Sequence, residues 1–314
     1  MNSFQALKLQ FSNLLSQRRL HTTTHHLIAK SLINQIKSHG IYKNIQEAEF
    51  KVYSQFGGDG IIQYLIQHVK LKENERRFIE FGVENYLESS TRFLLVNNNW
   101  HGLVIDSNEE NISFIKNDEI YWKHDLSAVC EFITCENIET IIAKYNFQKN
   151  IGLLSIDIDG NDYWVWNEIK QVSPVIVVIE YNSIFGNKYT VTVPYNSGFV
   201  TSTAHYSHLY WGASLKALFD LAKRKGYVFV GTESAGNNAY FVREDRVGKI
   251  PIKTMKDGYT ASIYRESRDT DGKLNFLNQS EKINEIKHLS VYNARTKQLL
   301  KIQELYKIQH PASS

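Results

Sequence analysis

Two hydrophobic periods divide this chain. Over the first 50 residues the period is helical: Leu7, Phe11, Leu14 and Leu15 recur at helical spacing, as do Leu27, Leu32, Ile33 and Ile36, and no proline interrupts them. From 76 to 245 short apolar runs alternate with helical stretches. The runs predicted as strands are Arg77–Phe81, Leu103–Asp106, Tyr121–Asp125, Leu153–Asp157, Val175–Glu180, Tyr227–Gly231 and Ala239–Arg243. The helices predicted between them are Glu88–Asn97, Glu109–Asn117, Ile138–Tyr145, Tyr163–Ile169 and Ala213–Lys225. Such alternation predicts an α/β fold with a largely parallel sheet. The last two runs are separated only by Thr232–Asn238, whose Gly236-Asn237 signals a hairpin.

Residues 183–211 form a long connection between strands. Loops of this length are functional or disordered. Phe185, Tyr189, Tyr195, Phe199, Tyr206, Tyr210 and Trp211 argue against disorder. Beyond Arg246 the signal weakens, and 278–309 reads as charged helices with Ile283, Ile286, Leu289, Leu299, Leu300, Ile302 and Leu305 as apolar positions. The expected organisation is a helical extension (1–50), an α/β domain (51–246) and a mostly helical C-terminal extension (247–314). The terminal helices are expected to pack on the domain or to join copies of the chain.

Composition narrows the classes. Of 314 residues 42% are hydrophobic, enough for a real core. A formal charge of +3 does not argue for nucleic acid. With a mean hydropathy of −0.36, no apolar run reaches the roughly 18–20 residues of a membrane helix. Gln, Lys and Asn interrupt every apolar stretch near the N-terminus, so no signal peptide and a cytoplasmic location are expected. Cys130 and Cys135 lack zinc-type spacing and are expected to be reduced.

The chemistry gathers at strand ends, where open α/β sheets bind ligands. The first strand ends in Glu80-Phe81-Gly82, and Gly82 lets backbone approach a ligand closely. The full G-x-G-x-x-G fingerprint is missing, because Glu84 and Asn85 occupy glycine positions. An acidic loop repels a pyrophosphate but tolerates the positive sulfonium of S-adenosylmethionine (SAM). Asp106, beside Ser107, is placed to bond ribose hydroxyls. Asp125 is placed to accept from an adenine amino group. Ser54–Gly60 is a Gly-rich turn in which Asp59 either caps a helix or belongs to a loop closing over a ligand.

These units together resemble the FkbM-like class of SAM-dependent methyltransferases. The resemblance rests on Glu80-Phe81-Gly82, Trp100–Asp106, His124-Asp125, Ser155–Trp164, Ser54–Gly60 and the segments around Gly212–Leu218 and Asn238–Val242, and it covers roughly residues 50–245. It implies a Rossmann-like seven-stranded sheet, mostly parallel with a terminal antiparallel hairpin. It also implies SAM as methyl donor and an O-methylated product. It places Glu80, Gly82, Asp106, Ser107, Asp125 and Asp157 around the cofactor. The family is similar to bacterial proteins of capsule and surface-polysaccharide loci, so a saccharide or small-molecule acceptor is expected.

Asp157, Asp159 and Glu180 with Asn182 then stand on the acceptor side. Two designs for moving the acceptor's proton stay open. Asp159, Glu180 and Asn182 offer hard oxygen ligands to Mg²⁺ or another divalent cation, an arrangement similar to that of catechol O-methyltransferase-type enzymes. His208, or His205, has a proton affinity suited to a general base. Asp162 is expected to cap the helix beginning Tyr163-Trp164, and Trp164 and Trp166 to be core or pocket wall. Two other readings compete with methyl transfer: a nucleotide-dependent oxidoreductase, which the acidic Glu84 loop disfavours, and a non-catalytic Rossmann-like scaffold.

Overall fold

Alternate residues of each central strand enter two separate apolar cores, as a period of two produces when both faces of a sheet are covered. Ile79, Phe81, Leu154, Ile156, Val177 and Ile179 lie in one core. Phe78, Leu153, Ile176 and Val178 lie in the other. The computed structural model describes residues 22–307. The predicted helical positions Leu7, Phe11, Leu14 and Leu15 lie outside the described residues.

The strands are β1 (Arg77–Phe81), β2 (His101–Asp106), β3 (Leu126–Cys130), β4 (Leu153–Ile156), β5 (Ile176–Glu180), β6 (Val191–Thr192), β7 (Tyr227–Thr232), β8 (Asn238–Arg243), β9 (Ser290–Asn293) and β10 (Gln298–Lys301). Seven form the main sheet in the order β3-β2-β1-β4-β5-β8-β7. β1 to β5 run parallel, and β8 is antiparallel to both β5 and β7. The topology switches at β1 and β4, so the carboxyl ends of these strands flank the crevice where such sheets bind ligands.

Helices cover both faces. Residues 22–39 form α1. The others are α2 (Gly58–His68), α3 (Arg92–Asn98), α4 (Glu109–Asn117), α5 (Glu119–Lys123), α6 (Ile138–Lys144), α7 (Asp162–Glu168), α8 (Thr201–Ala204), α9 (Leu215–Arg224), α10 (Met255–Gly258), α11 (Gln279–Ile286) and α12 (Ile302–Lys307). Apolar positions of α6, α7 and α9 fill the first core, and those of α2, α3 and α4 the second. α1 buries Ala29, Ile33 and Ile36. Leu27, read from its spacing as part of the same face, is 63% exposed. No helix among the described residues is long and apolar enough to cross a membrane.

The structure differs from the sequence reading in three places. Tyr121–Asp125 is not a strand. Asp118 accepts the Ile120 N–H at 3.0 Å and caps α5, and the third strand begins only at Leu126. α3 begins at Arg92, not Glu88, because Ser89, Ser90 and Thr91 are held by the Glu80 carboxylate. The C-terminal segment is less helical than its periodicity predicts. Asn293 Oδ1 accepts the N–H groups of Arg295 and Thr296 at 3.0 Å, and Lys297 takes φ +60°, which closes the β9–β10 hairpin.

That hairpin adds to β6, with Val191 opposite Asn293 and Thr192 opposite Tyr292. A third core joins Ile184, Phe185, Val191, Val193 and Leu209 from the long connection to Ile286, Val291, Ile302 and Leu305 from the C-terminal segment. Most of the loop aromatics serve this packing. Tyr189 meets Tyr306 edge-on, and Tyr210 and Tyr206 donate to the Ser290 carbonyl and the Glu285 carboxylate. Phe199, which also packs against this core, and Trp211 reach the cavity described next.

Candidate functional site

Above the carboxyl ends of β1, β2, β4 and β5 lies a cavity of about 690 Å³. One wall is the loop after β1. Gly82 takes φ +70°, and a Cβ there would stand 1.7 Å from the Asp157 carbonyl oxygen, so only glycine lets the β1 and β4 loops pass. Glu84 (φ +46°) and Tyr86 (φ +62°) are also left-handed. Every second residue of this loop thus has a glycine-like conformation, although only one is glycine. Left-handed backbone costs a side-chain-bearing residue roughly 1–2 kcal/mol. Anchors offset that cost. Asp106 Oδ2 accepts the Glu84 N–H at 2.8 Å, and the Tyr86 hydroxyl and Thr91 Oγ1 are hydrogen-bonded at 2.9 Å.

Glu80 holds the same loop from below. It accepts from Ser89 Oγ at 2.6 Å, Ser90 N–H at 2.8 Å, Thr91 N–H at 3.1 Å and the Thr91 hydroxyl. Burial pushes its carboxyl above the usual range despite these donors. Glu80 lines the cavity, but its oxygens are already used in shaping the loop. Asp106 does not cap α4. Asn108 does, accepting the Glu110 N–H at 2.8 Å. Asp106 Oδ1 accepts the Asn108 N–H at 2.8 Å, and with Ser107 it lines the cavity.

Asp125 is not brought to this site. With the third strand starting at Leu126, it sits at the opposite end of the sheet, 74% exposed and paired with His101. The residues that follow β3 into the cavity are Glu131, Phe132 and Ile133. A signal for them existed in the sequence: Asp118 as an N-cap makes 119–123 a helix and moves the strand one step along.

The other wall carries the acids. Asp157, Asp159 and Glu180 each present a carboxylate oxygen, all within 4.8 Å of one another. Burial, followed by the neighbouring carboxylates, raises Asp157 and Glu180 well above the ordinary range. Asp159 is also raised, by burial first and then by the Glu84 and Glu266 carboxylates. Glu180 Oε2 is buried with no partner. Asp162 does not cap α7 as predicted. It turns back to accept the Ile158 and Gly160 N–H groups at 2.8 and 2.9 Å, folding the Asp157–Gly160 turn, and burial raises it to about 6. Asp159 completes the turn at φ +53°, its carbonyl accepting from the Thr201 hydroxyl. Phe199 lies directly on Gly160, where a Cβ would meet its ring at 2.2 Å.

Asn182 is corrected from ligand to staple. Its Nδ2 donates to the carbonyls of Leu209 and Trp211 at 3.1 and 3.0 Å, and its Oδ1 accepts the Ile184 N–H at 3.0 Å. The amide with an unpartnered oxygen is Asn161, buried on the cavity wall and missed by the sequence reading. His208 lines the cavity at φ +58°. His205 does not, and its Nδ1 is 2.7 Å from Ser207 Oγ. Trp166 is core, and Trp164 Nε1 donates to the Val193 carbonyl at 2.9 Å. Asp59 Oδ2 accepts three successive N–H groups, of Val52, Tyr53 and Ser54, at 2.7–2.8 Å. Ser54, Gln55 and Gly58 of this turn line the cavity. Both cysteines are free.

Three carboxylates that repel one another, one with an orphaned buried oxygen, suit a hard divalent cation such as Mg²⁺. Without one, Asp157 and Glu180 must hold a proton between them.

No protein family model matches the sequence, and no curated protein matches it. Solved structures match in part. The chain is similar to the N-terminal domain of EvdMO1 with SAH bound, at 11% identity over 72% of this chain and 94% of that one, with a TM-score of 0.38. It is similar to the O-methyltransferase from Bacillus cereus in complex with SAH, at 11% identity over 68% and 88%, TM-score 0.36. It is similar to the pyocyanin biosynthetic protein PhzM, at 12% identity over 55% of this chain, TM-score 0.34, and spans about half of that protein, 52%. Likeness at these identities and TM-scores carries no argument about function, which is read from the site.

Proposed function

We propose that this chain is a SAM-dependent O-methyltransferase of the FkbM-like type, acting on a saccharide hydroxyl such as that of a surface-polysaccharide precursor. The observation that supports it best is a single cavity with two unlike walls. One is a close-approach loop anchored by Asp106. The other is the Asp157–Asp159–Glu180 cluster. SAM supplies a methyl group on a sulfonium, which an acceptor oxygen takes while its proton leaves. The chain's own residues do the rest. Gly82 and Glu84 shape the cofactor side, and Asp106 and Ser107 face the ribose. Phe132 and Ile133 give apolar walls for the base, and Glu131 an acceptor for its amino group. Phe199 and Trp211 offer faces for a sugar ring, and Asn161 an oxygen for one of its hydroxyls. Asp157, Asp159 and Glu180 would hold a divalent cation, which would acidify and orient a bound diol. His208 is the alternative proton acceptor at the same wall.

Calorimetric titration with SAM and with its demethylated product tests the reading, and absence of binding by both would sink it. EDTA treatment with the Asp159→Ala and Glu180→Ala variants separates the two proton routes. Turnover surviving all three assigns the proton to His208, and turnover lost in all three assigns it to the acid cluster.

A further inference from the structure

The charges around the cavity are strongly one-sided. Among the described residues, ten that line it are aspartate or glutamate, and the only lysine or arginine is Lys282. Lys282 is 8% exposed. Its ammonium donates to the Tyr264 carbonyl at 2.9 Å and has no carboxylate within ion-pairing distance among the described residues. On the cofactor side the acids are partly satisfied, Glu80 by four donors and Asp106 by backbone N–H groups. On the acceptor side the balance is different. Glu180 keeps an orphaned oxygen, Asp159 feels the Glu84 and Glu266 carboxylates as well as His208, and Glu233 is buried, accepting from the Asn238 N–H and Nδ2 at 3.1 and 3.2 Å. Burial pushes Glu233 up to about 7.

A cavity of this kind has a selective consequence. A phosphate or carboxylate on the acceptor needs arginines, lysines or unpaired N–H groups to replace its water. It would instead meet carboxyl groups with no free arginine or lysine to offset its charge, and like charges brought together in a cleft are a strong means of rejecting a ligand. A divalent cation at Asp157, Asp159 and Glu180 would not reverse the balance, since three carboxylates outweigh it. Hydroxyl and ammonium groups are donors and are matched by the same oxygens. The outer wall adds Asn237, Asn238 and Ser262 as polar partners and Tyr264 as a ring face.

Building on the methyltransferase reading, we infer that the acceptor is an uncharged or amine-bearing polyhydroxy compound, and that sugar phosphates and sugar nucleotides are excluded by the carboxylate-lined cavity. Methylation then falls on a saccharide outside its nucleotide-activated form, so a reaction that removes or transfers the sugar from its phosphate must precede this one. Glu266 lines the cavity and holds the Arg268 guanidinium at 2.7 Å, so this nearby cation is already paired with a carboxylate and is not free for a phosphate.

The test uses the whole chain with isotopically labelled SAM and a panel of neutral methyl glycosides, amino sugars, the matching sugar 1-phosphates and uridine-diphosphate sugars. Labelling of neutral or amino members, at least tenfold above any phosphate-bearing one, is the expected result. Labelling of a phosphate-bearing member at an equal or higher rate overturns the inference, as does labelling of none while SAM binds. Failure to bind SAM or its product at all would instead remove the methyltransferase reading beneath it. Glu266→Gln should narrow the neutral-to-phosphate ratio about threefold or more, and an unchanged ratio would count against charge as the cause.

Discussion

Carboxylate oxygens of Asp157 and Glu180 lie within 4.8 Å of each other across the carboxyl ends of β4 and β5, and burial together with their mutual repulsion raises the proton affinity of both. Two buried acids this close are relieved when one carries a proton or a cation stands between them. The unfolded groups titrate near about 4. Stability from the pair is fully present below that pH and is lost as pH rises through the folded values. Asp162 at about 6 and Glu233 at about 7 act with the same sign. In EDTA, the melting temperature should fall between about pH 5 and pH 8. Mg²⁺ should restore it at the upper end more than at the lower. Glu180→Gln should flatten the slope, and a slope unchanged in that variant would separate the pair from the effect.

Gly82→Ala should be poorly tolerated. The added methyl would stand 1.7 Å from the Asp157 carbonyl, on a residue already at φ +70°. A loss of at least about 2 kcal/mol is expected in urea unfolding, together with loss of SAM-product binding in calorimetry. Wild-type affinity in this variant would mean that the β1 and β4 loops are not held against each other.

The corrected path of the third strand gives a paired prediction. Phe132→Ala removes an apolar wall of the cavity, whereas Asp125→Ala changes an exposed group at the other end of the sheet. Truncating an aromatic side chain that a bound base would cover costs on the order of 1–2 kcal/mol, or about tenfold in affinity. Product affinity should drop by that factor in the first variant and stay level in the second. The reverse pattern would restore Asp125 to the site.

Asp162→Ala should act through shape. It strips the partner from the Ile158 and Gly160 N–H groups, and each buried N–H left unpaired costs about 1–3 kcal/mol. Chemical denaturation should show a loss of roughly 2–6 kcal/mol on the same basis, and turnover should fall with it. Asp162→Asn keeps one acceptor oxygen and should recover part of the stability. Equal losses in both variants would point to charge, not hydrogen bonding.

The sheet was legible because its strands are apolar on both faces, as in Leu153–Ile156 and Ile176–Glu180, and each ends in an acid. The acidic edge was legible for the same reason. The third strand was not, because Ile120, Tyr121 and Trp122 have strand-like composition and only the Asp118 cap reveals a helix. The glycine-like loop was hidden too: Glu84 and Tyr86 adopt left-handed backbone that tertiary anchors, not residue type, impose. Asn182 loses its expected ligand role and Asn161 was overlooked because hydrogen-bond partners come from distant segments, the Leu209 and Trp211 carbonyls in one case and the Asn196 carbonyl in the other. Spacing along the chain carries none of that.

The β6–β9–β10 sheet ties the fate of two remote stretches together. The 183–211 connection cannot keep its shape without the segment near 290, and both furnish walls to one chamber through Phe199, Trp211 and Lys282. Grafting only one of them between homologous proteins should yield a chimera that folds its nucleotide-style half and scrambles its selectivity. Exchanging both as a unit should move acceptor preference intact, which makes this pair, and not the central sheet, the natural cassette for redesign.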